Sequence, residues 1–184
     1  MSVLNFSPSK EIGIRRVLLV LVAVVTALIQ HTRGFNLSVG SVAPMLLVPF
    51  VVCVAMYERS LAGLSYGVIA GALWDFASTG ADGMYTLMLA TIGFGTGVII
   101  TFYIRNRLAS AVVLSFISSL AVSVAYWMMF VLRKGFDGTW TILLTRFLPV
   151  AVYSTLFVFV YYYLVGLIIK ATGKSDKAKQ TYIR

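Results

Sequence analysis

Charge is scarce in this chain: Asp, Glu, Lys and Arg together make up 11% of its 184 residues. A soluble domain carries about a quarter of its residues charged, because its surface must face water. With 60% apolar residues and a mean hydropathy of +0.93, the composition excludes a water-facing globule, and lipid is the solvent that tolerates it. Cysteine is nearly missing too. Cys53 stands alone inside an apolar run, which excludes an intrachain disulfide and a multi-cysteine metal site and leaves it reading as a small core residue. The single histidine, His31, lies at the end of an apolar run and reads as an interface residue rather than a ligand. No nucleotide-binding loop, HExxH helix or nucleophile elbow occurs. The chain is therefore expected to be no enzyme, with no cofactor and no metal.

What is present is a basic surplus. The net charge of +9 forms no stripe and no aromatic platform, so nucleic acid is not an expected partner; anionic membrane lipids are. The basic residues flank apolar runs, where topology determinants lie. A membrane helix needs about 20 mostly apolar residues, and six runs meet or approach this: Ile14–His31, Ser41–Tyr57, Leu61–Ala77, Met84–Ile104, Leu108–Leu132 and Leu143–Lys170. Lys10, Arg15 and Arg16 before Val17–Ile29 resemble the start of a signal peptide, but Gln30-His31-Thr32-Arg33 offers no small-x-small cleavage site, so the first span is expected to be retained.

Connections such as Glu58–Ser60 and Arg105–Arg107 are brief, which forces antiparallel neighbours. The fold expected is an all-α integral membrane bundle of six spans over residues 1–170, followed by a basic tail, 171–184. Six spans place both termini on one side. That side carries Lys10, Arg15, Arg16, Arg59, Arg105, Arg107, Lys170, Lys174, Lys177, Lys179 and Arg184, and the other carries Arg33, Arg133, Lys134 and Arg146. The bias puts both termini in the cytoplasm. The tail reads as a solvated anchor or as a docking site for a cytoplasmic partner.

Within the third run Gly63, Gly67 and Gly71 recur every four residues, and the fourth run carries Gly93 and Gly97. Small residues at this spacing cut a notch that lets another helix backbone approach closely. The notch serves either packing inside the bundle or a partner's helix. One further step of four reaches Asp75. Each step drifts by about 40°, so the carboxylate stays near the Gly71 face. Three roles are open to it: capping or pinning the following turn, pairing with an outer-side arginine such as Arg146, or serving a substrate or proton site. Among the prolines, Pro44 is placed to start the second helix, while Pro49 is expected to bend it and Pro149 to bend the sixth.

The stretch Arg59–Phe76, with its G-x-x-x-G-x-x-x-D run, resembles a segment of the bacterial rod shape-determining MreD family. Gly80-Ala81-Asp82-Gly83-Met84 is similar to that family's glycine turn into the next span, and Pro44 matches as well. Gly67, Gly71, Asp75 and Gly83 carry the family pattern, and Trp74 departs from it, since a smaller aliphatic residue is more usual there. The resemblance implies a non-enzymatic inner-membrane component of the cell-elongation machinery. Its implied partner is a single-span MreC-like protein, with MreB, RodA and an elongation-class transpeptidase reached through it. A second likeness is to the substrate-binding subunits of energy-coupling-factor vitamin transporters, also basic six-helix proteins, whose A-x-x-x-A docking pair is similar to Ala23 and Ala27.

Overall fold

Lipid offers a backbone no hydrogen-bond partners, so apolar runs must close their N–H and C=O groups within helices. The computed structural model describes residues 8–32, 43–78, 83–104, 106–131 and 147–172, and among these the regular structure is entirely helical. The helices are α1 (Pro8–His31), α2 (Leu47–Glu58), α3 (Ser60–Ala77), α4 (Met84–Phe102), α5 (Leu108–Tyr126), α6 (Leu148–Leu156) and α7 (Val158–Thr172). A π-helical turn, Trp127–Val131, extends α5, and α6 runs into α7 through Phe157. Among the described residues five helical stretches are long and apolar enough to cross a membrane: Ile12–His31, Ser60–Ala77, Met84–Phe102, Leu108–Met129 and Leu148–Thr172.

The remaining helix, α2, has 12 residues and is about 18 Å long, well short of a hydrocarbon core of about 30 Å. The expected run from Ser41 does not fold as one helix. Residues 43–46 are non-helical, and helix begins at Leu47. Proline explains the start. Inside a helix, the Pro49 ring would clash with the carbonyl of the residue four before it. In the first turn it displaces no hydrogen bond. The expected bend at Pro49 is thus replaced by a delayed beginning. Pro149 likewise lies in the first turn of α6, and the break in that span falls at Phe157, whose N–H bonds back to the Ser154 carbonyl at 3.2 Å.

Every residue from Leu47 to Met56 is buried, and α2 touches all the other helices. A helix that is apolar all round belongs inside. Enclosed by protein, α2 has no lipid thickness to match. Its entry is closed by side chains: Ser154 Oγ accepts the Met45 N–H at 2.7 Å, and Gln30 Oε1 accepts the Leu47 N–H at 3.1 Å. Irregular backbone at membrane depth survives where protein covers it in this way.

The surrounding helices invert the soluble pattern. On α1, Leu19, Ala23, Thr26 and Ala27 face inward, while Val17, Leu21 and Leu28 are exposed, as lipid permits. Tyr161 donates its hydroxyl to Thr26 Oγ1 at 3.1 Å and ties α1 to α7. At the opposite end of α1, Arg15 pairs with Glu58 at 3.0 Å. The α5 face that packs inward is lined with small polar residues, Ser115, Ser118, Ser119 and Ser123, which let α6 approach.

Arg59 alone separates α2 from α3. Its φ of 72° and ψ of −172° fall in a region that glycine normally occupies, at a cost on the order of 1–3 kcal/mol. The reversal has to be this abrupt because Ser60, the next residue, already lies against Gly97 of α4.

Candidate functional site: the α3–α4 hairpin

The glycines of α3 meet the backbone of α4. A methyl group added at Gly63 would overlap the Gly93 carbonyl oxygen and lie 2.7 Å from the Ala55 side chain. At Gly67 it would overlap the Leu89 carbonyl oxygen and lie 2.8 Å from Ala90 Cα; at Gly71 it would strike Thr86 Cα and come within 2.7 Å of the Tyr85 carbonyl oxygen. The approach is reciprocal. Gly93 faces the Gly63 carbonyl, and Gly97 faces the backbone of Ser60. Residue numbers rise on α3 as they fall on α4, so this is an antiparallel clasp along the whole hairpin. Without a hydrophobic drive between helices, such contact is how a membrane protein gains packing energy. Gly95, by contrast, has nothing within 4 Å of an added methyl and stands off the seam.

Asp75 is the next step of the series, and it ends the clasp with a polar lock. Its Oδ1 accepts the Tyr85 N–H at 3.2 Å; its Oδ2 accepts the Thr86 N–H at 2.8 Å and the Thr86 hydroxyl at 2.6 Å. Tyr85 and Thr86 are the second and third residues of α4, whose amides have no partner within the helix. The residue preceding α4 is Gly83, in the left-handed region at φ 77°, and it has no side chain to cap with. Asp75 therefore caps α4 from the neighbouring helix. Its negative charge meets the positive end of the helix dipole, and charge-assisted hydrogen bonds are the strong kind. Of the three roles open in sequence, this geometry fits pinning of the turn. Arg146, and residues 79–82 of the turn itself, lie outside the described residues.

Aromatic rings spread from this lock across the same end of the bundle. Trp74 stacks on Tyr85 with centroids 4.3 Å apart and planes 6° from parallel. Tyr85 continues to Tyr126 at 6.5 Å, Tyr126 to Phe147 at 6.0 Å, and His31 meets the Trp74 ring edge-on at 6.2 Å. The chain of rings joins α1, α3, α4, α5 and the start of α6. The bulk of Trp74, where the resemblance implied a smaller aliphatic residue, stacks on Tyr85 and lies beside the glycine seam rather than in it.

The spacing of small residues made the α3 face visible, but it could not show Thr86, Leu89 and Ala90, where α4 offers backbone and not a glycine. One signal was available for Thr86: Gly83-Met84-Tyr85-Thr86 opens a helix without a capping side chain, so its first amides required an outside acceptor. Gln30 and Ser154, which close the entry of α2, gave no such signal. Among the described residues no group of three or more His, Cys, Asp or Glu side chains is placed to hold a metal ion.

The family model of the rod shape-determining protein MreD matches residues 12–170, a stretch that contains most of α1, all of α2 to α6 and nearly all of α7. The chain belongs to the MreD family. No curated protein and no solved structure matches it. Membership places the glycine clasp and the Asp75 lock in a membrane protein of rod-shape determination. Ala23 and Ala27, the A-x-x-x-A pair of α1, are 0% and 7% exposed, covered by this MreD-family chain itself.

Proposed function

We propose that the chain is a non-enzymatic scaffold of the bacterial cell-elongation machinery, presenting the outer end of the α3–α4 hairpin to the membrane helix of an MreC-like partner and, through it, serving MreB, RodA and an elongation-class transpeptidase. It sits in the inner membrane as six spans, with α2 as the short buried one and both termini cytoplasmic. The observation that carries this reading is the position of the family pattern. Gly67, Gly71 and Asp75 lie on a hairpin clasped and capped from within the chain, a rigid element of the kind a scaffold needs. Clasp and cap together hold the aromatic edge of Trp74, Tyr85 and Tyr126 in one arrangement. The bias of basic residues toward one side supports the orientation.

Detergent co-purification with an MreC-like single-span protein tests the reading. Gly71→Leu should splay the outer end of the hairpin and reduce recovery of the partner about tenfold, whereas Gly95→Ala should leave recovery unchanged. A folded Gly71→Leu protein that retains its partner in full would remove the hairpin from the interaction. Cysteine-accessibility labelling at Asn5 and Lys179 tests the orientation, with both sites expected on the cytoplasmic side.

A further inference from the structure

Where α2 ends, α3 begins and α4 turns toward α5, the bundle has a recess of about 470 Å³, lined among others by Met56, Arg59, Thr101, Phe102, Tyr103 and Asn106. Polar and apolar groups both line it. Arg59 and Asn106 bring charge and amide donors, while Met56, Ile100 and Phe102 make apolar wall. Asn106 uses one N–H to hold the Met56 carbonyl at 3.2 Å, the end of the buried helix. Phe102 and Tyr103 are 75% and 82% exposed, as aromatic side chains are at the level of lipid headgroups.

Among the described residues nothing compensates the charge in this recess. Glu58, the acid beside Arg59 in sequence, is taken by Arg15 on α1. Among the described residues no acid lines the recess and Arg59 has no ion-pair partner. Arg59 also occupies a backbone conformation that glycine would adopt without strain. A chain needing only a tight reversal there is better served by glycine, so the arginine side chain has a use of its own.

We propose that this recess seats the phosphodiester headgroup of an anionic phospholipid, with Arg59 as its charge partner and the Asn106 amide as a second donor. A guanidinium fork matches two phosphate oxygens. The apolar wall and exposed aromatic rings suit a phosphate that arrives attached to acyl chains rather than free in solution. A zwitterionic headgroup would bring an ammonium that meets no carboxylate. The proposal is independent of the scaffold reading, since it concerns the opposite end of the hairpin from Asp75 and involves no protein partner.

Native mass spectrometry of the full chain, released from nanodiscs containing phosphatidylglycerol and phosphatidylcholine, tests it. The wild type should retain phosphatidylglycerol selectively. Arg59→Gly and Arg59→Gln should each lower that retention about fivefold, the effect of one basic side chain at the headgroup level. In lipid-free detergent, Arg59→Gly should melt no lower than wild type because glycine relieves the backbone, which separates lost binding from lost folding. Equal retention by wild type and Arg59→Gln, or no preference of the wild type for the anionic lipid, would overturn the proposal. Inorganic phosphate or glycerol phosphate raising the melting temperature in detergent as much as phosphatidylglycerol does would also overturn it, by making the ligand a soluble phosphate.

Discussion

The α3–α4 hairpin and the α2 helix are neighbours held by different physics. The hairpin is clasped through missing side chains: Gly63, Gly67, Gly71, Gly93 and Gly97 let two backbones touch. Helix α2 is held by side chains on every face, with Leu47, Val48, Phe50, Val51 and Val54 all fully buried. The contrast teaches that a membrane bundle can combine a seam of backbone contact, which tolerates no added atom, with a central post whose residues have only to fill volume. Each also solves its helix start in its own way. Asp75 caps α4 with a charge, whereas Ser154 and Gln30 receive α2 with neutral oxygens.

Breaking the seam should have the largest effect. Gly67→Leu places a branched side chain where Leu89 and Ala90 backbone already stand and should cost about 3 kcal/mol or more, at or above the upper range of overpacking. Reversible unfolding in mixed micelles reads this out, and Gly95→Ala, off the seam, should change stability by less than about 1 kcal/mol. Asp75→Ala comes next. It leaves the Tyr85 and Thr86 amides without their acceptor and should cost about 2 kcal/mol, with faster hydrogen exchange confined to the first turn of α4. Exchange spread evenly over α3 and α4 would show instead that cap and clasp are one unit. The smallest effect is expected at the entry of α2: Ser154→Ala frees the Met45 N–H for about 1–2 kcal/mol. A loss larger than that of Asp75→Ala would reverse the ranking of the two helix starts.

The hairpin was the more legible of the two regions. Glycines four apart mark a close-contact face whatever they contact, and Asp75 announced itself as an acid in apolar surroundings. Its acceptor role was one of several open to it, because a carboxylate's partner is set by what lies across from it and not by its own neighbours in sequence. The length of α2 was hidden for another reason. Ser41–Tyr57 is as apolar as a spanning run, and the two prolines could be read as a start and a bend. Pro49 favours a start close before it, but that the helix opens at Leu47 also needs Gln30 and Ser154, distant in sequence, to receive the amides at its entry.

Composition alone determined the solvent of this protein, and residue spacing alone marked the face on which α3 makes its closest contact. Hydropathy could go no further, because in a bilayer the lipid-facing and buried surfaces are equally apolar. Tertiary structure decided which helix is enclosed, what fills the glycine notches and whose amides Asp75 receives, since enclosure and hydrogen-bond partnership are relations between distant segments. The arginine between α2 and α3 shows the same division. Its charge is plain in the sequence, but its place beside an open recess exists only once the helices are packed.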